Sequence, residues 1–453
     1  MTIATEAQGR AEYAATLQAL DRKHLIHPHQ NPTRTERNIF VRGKGSVVWD
    51  AEDVPFIDGM AGGNWVVAVG HGRGELAEVA AAQAEKLEYF SLWREYSNEP
   101  AIRLAARLAE LSPPGMDKIH FTSGGSDGTE AALKIARRYH FERGDTERTW
   151  FIGRHFGYHG TTFAGAAVSG MDDMHFGAGE VLSQVTKVSP PMVSHPEMFG
   201  GQDPTDFLLQ ELEAEILRVG PEKIAAMIGE PVMGGGGVIV PPEDYWPRIR
   251  TLLSKYGILL IADEVITGFG RTGEWFASAH YDPDIIITAK GISSGYAPLG
   301  AVLIRNEIGE TMVGNPEKFF FHGLTYSGHP LGTALALANI DIIERENILG
   351  QAKKIESWFT EGLDGIRDLP IVHDVRVHGA MVGIELTADP NTGEPMPFDR
   401  MVGIIDDLRG KHRVLTRDYG PTLVVGPPLV LEQEQAVQIS AAITDVLSRS
   451  IVR

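Results

Sequence analysis

Lys290 closes the apolar run Asp284-Ile-Ile-Ile-Thr-Ala-Lys290, and Asp263 closes an earlier one, Ile258-Leu-Leu-Ile-Ala-Asp263. An amine that can shed its proton forms Schiff bases with carbonyl compounds, and a carboxylate beside a pyridine nitrogen keeps that nitrogen protonated so that the ring can take up electrons. Together the two residues point to pyridoxal phosphate (PLP) chemistry. A lone lysine at a strand end is ordinarily just the polar edge of a loop. The pair therefore gains meaning only if the chain also offers a place for a phosphate dianion. Ser123-Gly-Gly-Ser-Asp-Gly128 is such a place: small residues with bare backbone N–H groups, after the strand-like Lys118-Ile-His-Phe121 and ahead of the helix-forming stretch Glu130 to Tyr139. The spacing is neither that of a dinucleotide fingerprint nor that of a Walker loop, so nucleotide binding has nothing to rest on.

These residues need a scaffold that brings strand ends together. Both runs are short, continuous and branched, as strands buried on both faces of a parallel sheet are, and open α/β sheets bind ligands at the carboxyl ends of their strands. From Asp206 to Val219 the spacing of Leu209, Leu212, Ile216 and Val219 predicts one helical face, Pro221 breaks it, and Ile224 to Ile228 reads as the next strand. Tyr245 to Tyr256 is helical again, and Gly257 ends it before Ile258 to Ala262. The alternation predicts an α/β fold with a mostly parallel central sheet. The C-terminal third reads differently: a helix around Leu331 to Glu346, short strands at Val372 to Val377, Met381 to Leu386 and Leu423 to Val425, and a last helix with Ala436, Ile439, Ile443, Val446 and Ile451 on one stripe. That is a small α+β domain.

Several ordered motifs, namely Gly157-Tyr-His-Gly160, Gly229-Glu-Pro231, Ala262-Asp-Glu-Val265, Gly268-Phe-Gly-Arg-Thr-Gly273, Ala289-Lys-Gly291 and Thr325-Tyr-Ser-Gly-His-Pro330, resemble those of class III aminotransferases. These are PLP enzymes of fold type I, and the amine:pyruvate branch, the ω-transaminases, is the best match, from about Asp50 to about Leu447. The resemblance implies that Lys290 forms the Schiff base with the cofactor and then moves the proton between substrate carbon and cofactor, while Asp263 pairs with the pyridinium nitrogen. It implies that Gly125 and Ser126 bind the phosphate, joined by Thr325 from the other subunit of a homodimer. Tyr158 would stack on one ring face, Val265 press on the other, Glu230 support the ring edge and His159 stand beside the stacking aromatic. The resemblance also divides the chain into a large cofactor-binding domain over 64–329 and a small domain over 330–453 that is completed by the N-terminal segment 1–63.

Arg417 matches the family arginine that pairs with a substrate carboxylate, a geometry that a guanidinium fork suits. Relatives that use 2-oxoglutarate commonly carry a glutamate that occupies this arginine while other substrates bind. Here the corresponding run is Glu230-Pro-Val-Met-Gly-Gly235, without that glutamate, and Met233 replaces the glutamine that many relatives place near the cofactor's phenolic oxygen. Trp65, offset by one residue, resembles the aromatic at the substrate entrance, and Trp93 is a second candidate for that wall.

Composition sets bounds. A chain of 453 residues, 43% hydrophobic, can bury a large core and predicts two domains. A net charge of −19 argues against nucleic acid or anionic membrane as a partner, and no apolar run reaches the roughly 18 residues of a membrane span. The sequence contains no cysteine, and its first residues lack a signal-peptide pattern, so a cytoplasmic enzyme without thiolate metal sites is expected. The expected reaction is ping-pong transfer of an amino group from an amine or ω-amino acid to pyruvate. A decarboxylase or racemase on this scaffold stays open, because these reactions differ in which bond is aligned with the ring. So does a 2-oxoglutarate-dependent aminotransferase. A PLP-binding regulator would need a DNA-binding domain, and the stretch ahead of the fold has no basic helix-turn-helix pattern.

Overall fold

The structure is a computed structural model that describes residues 3–29, 36–177, 179, 181–313 and 319–450. Its centre is a seven-stranded sheet in the order Lys118–Thr122, Gly300–Ile304, Ile285–Thr288, Leu259–Asp263, Ile224–Gly229, Trp150–Arg154, Val185–Val188. Gly300–Ile304 runs antiparallel to both its neighbours, and the remaining pairings are parallel. The predicted mixed α/β architecture is therefore present. The three middle strands, Ile224–Gly229, Leu259–Asp263 and Ile285–Thr288, are buried at every residue, which is why their sequences read as unbroken apolar runs. Helices cover both faces: Gly125–Glu142 packs with the cluster containing Ile261 and Ile287, and Pro204–Val219 with that containing Leu260 and Ile286.

Two smaller sheets flank this core. Phe40–Lys44, Val47–Asp50 and Pro55–Asp58 form a meander whose last strand pairs in parallel with Val414–Leu415, tying N-terminal chain to C-terminal chain. Val372–His378, Met381–Asp389, Thr422–Val425 and Arg417–Tyr419 form the other, with Glu394–Pro395 on the side. The helix expected at Leu331 to Glu346 spans Pro330–Arg345, and the last helix spans Gln433–Ser450, so Ile451 of the expected stripe lies outside the described residues. Helices Ile3–His24, Ile348–Gly362 and Phe398–His412 went unread in the sequence. Among the described residues no helix is long and apolar enough to cross a membrane.

Candidate active site

The carboxyl ends of the middle strands open into a cavity of about 350 Å³ lined by Lys290, Asp263, Glu230 and Tyr158. Asp263 and Lys290 arrive from adjacent parallel strands, in which Asp263 pairs with Ile287. Lys290 follows its strand by two residues and starts a short 3₁₀ turn, Lys290–Ile292, with φ at +47°, a strained value for a residue with a Cβ. Buried Asn339 holds this turn from helix Pro330–Arg345, donating through Nδ2 to the carbonyls of Gly291 (2.9 Å) and Ile292 (3.0 Å). Burial destabilises the ammonium of Lys290 and brings its pKa down to about 8, even though Asp263 and Glu230 pull the other way. Lys290 as a residue is half-buried and lines the cleft.

Asp263 is 4% exposed, and both its oxygens are engaged. Oδ1 accepts the backbone N–H of Val265 at 3.1 Å, and Oδ2 lies 2.7 Å from Nδ1 of buried His159, whose Nε2 has no partner. An Nδ1–H hydrogen bond donated by His159 to Oδ2, together with the Val265 N–H on Oδ1, aims the Asp263 carboxylate into the cleft. The next residue, Glu264, turns into the core instead, where Thr267 and the N–H of Ser278 satisfy it. Glu230, 4% exposed, accepts the N–H of Tyr158 at 3.4 Å, and burial raises its pKa to about 7. Arg154, fully buried beneath the Trp246 ring at 4.8 Å, donates to the Glu230 carbonyl at 2.6 Å and faces its carboxylate at 3.7 Å.

Most of the Gly/Ser stretch is helical, because helix Gly125–Glu142 begins five residues ahead of the expected Glu130. Gly124 caps it without any side-chain hydrogen bond, so the first N–H groups stay available to an anion. The space is tight. A Cβ on Gly125 would meet both Val265 methyls at 3.1 Å, and one on Gly160, at φ +106°, would meet Ser126 Oγ at 2.5 Å. Ser126 Oγ in turn accepts the N–H of Thr161 at 3.2 Å. An unclaimed helix N-terminus, a carboxyl group held by a histidine and an amine of lowered pKa are the set of groups PLP requires, and these residues fit it.

The other expected residues do not line the cavity itself. Trp65 is 2% exposed and therefore no open entrance wall: it stacks on Tyr419 at 5.5 Å and 8° and keeps its ring 6.0 Å from Lys290 Nζ. Arg417, on strand Arg417–Tyr419, lies 5.1 Å over the Tyr419 ring and donates from Nη1 to Asn64 Oδ1. Met233 is fully buried and bridges to Ile239. Trp93 packs edge-on against Phe321 at 5.7 Å, outside the cavity lining. Thr325 is exposed on this chain, and its carbonyl accepts Tyr89 Oη at 2.7 Å. Sequence reasoning missed Arg154, Asn339 and Asn64. Arg154 could have been found, since it closes an apolar run just as Asp263 and Lys290 do.

The fold and this site define a PLP-dependent transferase, and comparison with known proteins makes the class specific. The sequence model "Aminotransferase class-III" matches residues 30–447. The putrescine–pyruvate aminotransferase of Pseudomonas aeruginosa is 37% identical over 428 residues, 92% of each chain. The diaminobutyrate–2-oxoglutarate transaminase of Halomonas elongata is 36% identical, over 91% of this chain and 92% of that one. Among solved structures, a thermostable (S)-enantioselective ω-transaminase from Thermomicrobium roseum superposes with a TM-score of 0.92 at 40% identity, covering 97% of this chain and 99% of the other. An amine transaminase from an uncultivated Pseudomonas species, solved in its PLP-bound form, gives 0.87 at 35% identity, covering 94% and 98%. The chain belongs to the class III aminotransferases, and PLP is its cofactor.

Proposed function

We propose that this aminotransferase moves an amino group from an amine donor to pyruvate in two half-reactions, with Lys290 as its proton carrier. The single observation that carries the acceptor assignment is the state of Arg417: it is held by a neutral amide, and the position where 2-oxoglutarate users keep their switch glutamate is Gly235. A Cβ at Gly235 would meet Tyr158 Cβ at 2.9 Å and Met171 Cε at 3.1 Å, so a longer side chain there would displace the Tyr158 ring. Likeness to the putrescine–pyruvate enzyme and to solved ω-transaminases points the same way.

PLP supplies the carbonyl that condenses with amines and the ring that accepts the electrons of a broken C–H bond. Gly125 and Ser126 would hold its phosphate. Tyr158 and Val265 would flank the ring, with Glu230 at its edge. Asp263, held in place by His159, would keep a proton on the ring nitrogen. In each half-reaction Lys290 would move one proton between the substrate carbon and the cofactor carbon that carries the nitrogen, toward the cofactor with the donor and away from it with the acceptor, and a lowered pKa suits both directions. Arg417 pairs with the acceptor carboxylate, and Trp65 backs the cleft between these two cations.

The chain acts as a cytoplasmic homodimer in this proposal, with Thr325 reaching the partner's phosphate site. Large apolar side chains lie exposed near Thr325, Phe319 at 83% and Phe321 at 85%, a pattern that suits a covered interface. A cofactor-binding domain over 64–329 and a small domain over 330–453 plus 1–63 is the division we favour; the pairing of Pro55–Asp58 with Val414–Leu415 supports it. An amine-donor panel run separately with pyruvate and with 2-oxoglutarate, reading alanine and glutamate, tests the proposal. Alanine should dominate with every accepted donor. A preference for glutamate would reverse the acceptor assignment.

A further inference from the structure

Asn64 sits in an unusual piece of backbone. The chain from Ala61 to Trp65 is wound as a five-residue turn whose interior is not helical: Gly62 and Gly63 have φ at +78° and +89°, and Asn64 has φ −146° and ψ 36°. The turn is fixed from below by buried Asp58, whose Oδ1 accepts the N–H of Met60 at 3.0 Å and whose Oδ2 accepts the N–H of Gly62 at 2.6 Å and contacts His71 Nε2 at 2.7 Å. It places two consecutive side chains on the two cations of the cleft. Trp65 turns inward beside Lys290, and Asn64 presents Oδ1 to Arg417.

An arginine that must bind a carboxylate in one half-reaction and make room for an apolar amine in the other needs somewhere to rest. A carboxylate rest binds the guanidinium firmly, and every pyruvate would have to compete with it. A neutral amide accepts a weaker hydrogen bond from the same cation. We infer that Asn64 is the resting partner of Arg417, a positioning residue whose lack of charge sets how readily the arginine is released to an acceptor carboxylate. This inference rests on the proposed role of Arg417. Tyr419, two residues along the strand, lies under the guanidinium at 5.1 Å and stacks on Trp65, so the resting arginine lies on an aromatic layer that leaves its outer N–H groups free to meet a ligand.

The test is Asn64→Asp, nearly isosteric and therefore compatible with the turn, studied alone and in combination with Arg417→Ala. Replacing the amide by a carboxylate should raise the KM for pyruvate by about five- to tenfold, with the rate at saturating pyruvate held, because a hydrogen bond to a charged acceptor exceeds one to a neutral acceptor by about that factor. High salt should shrink the effect, and the Arg417→Ala background should abolish it. Cofactor absorbance confirms that each variant is loaded. If Arg417→Ala weakens pyruvate but Asn64→Asp does not, or does so equally without the arginine, the resting role of Asn64 is overturned and the carboxylate role of Arg417 stands. If Arg417→Ala itself leaves the pyruvate KM unchanged, the carboxylate role of Arg417 fails, and the role of Asn64 with it.

Discussion

Asp263 and Lys290 leave adjacent strands in the middle of a seven-stranded sheet, whereas Arg417 stands on a three-residue strand and meets a glycine-containing turn. The first pair is over-determined: His159 and the Val265 N–H fix the carboxylate, and Asn339 fixes the turn that carries the lysine. At the other end, among the described residues, one side-chain hydrogen bond and one ring restrain the guanidinium. The contrast fits the demands of the reaction. Proton transfer needs a geometry that never changes, and a site that admits two unlike substrates in turn needs one group that can move.

Damage at the rigid end should therefore be large and indifferent to substrate. Lys290→Ala should reduce turnover by at least about 10⁴-fold with every donor and acceptor, since it removes both the Schiff-base nitrogen and the proton carrier. Circular dichroism should still report a folded protein, because the amine lies in a cleft and not in the core. Asp263→Asn comes next. An amide cannot hold the ring proton electrostatically, so stopped-flow half-reactions should both slow by roughly 10²- to 10³-fold while cofactor is retained.

Asn339→Ala is a subtler break. It leaves the carbonyls of Gly291 and Ile292 unpaired and loosens the strained turn, so turnover should fall by about ten- to a hundredfold with little change in either KM. A change confined to the pyruvate KM would place Asn339 in the wrong half of the comparison. The smallest effect is a matter of pH. With its pKa lowered from 10.5 to about 8, Lys290 gains neutral amine as pH rises, half of it at about pH 8 and most of it by about pH 9. The rate at which cofactor-stripped protein captures PLP, followed by absorbance, should climb through about pH 8 and level off by about pH 9. A rate still climbing toward pH 10 would mean an ordinary, solvated lysine.

Much of the rigid end was legible in the sequence because strand ends advertise themselves: an apolar run that stops at a charge tells where the residue is and which way it faces. Lys290 and Asp263 were marked in this way, and the Ser123 to Gly128 stretch by its small residues ahead of helix formers, although the helix begins within that stretch and not beyond it. The central sheet was legible for the same reason, its middle strands being buried throughout. The movable end was not. Asn64 reaches Arg417 through a turn whose path depends on left-handed glycines and on Asp58 beneath it, and no periodicity marks such a path. Trp65 looked like an entrance residue by type and place, yet the same turn drives it inward to 2% exposure. Asn339 was invisible because a polar residue within an apolar helix gives no sign of which backbone it will hold.

The most direct test of the account is to follow the two half-reactions of Arg417→Ala separately, under single-turnover conditions, with pyruvate on one side and an uncharged arylalkylamine on the other. Loss of a charge-assisted, bidentate pair should cost roughly 2–4 kcal/mol, about 30- to 1000-fold, in the pyruvate half-reaction. The amine half-reaction should stay near the wild-type rate, because that substrate never uses the pair. Equal losses on both sides would contradict the account: Arg417 would then be structural, and the carboxylate would be held elsewhere.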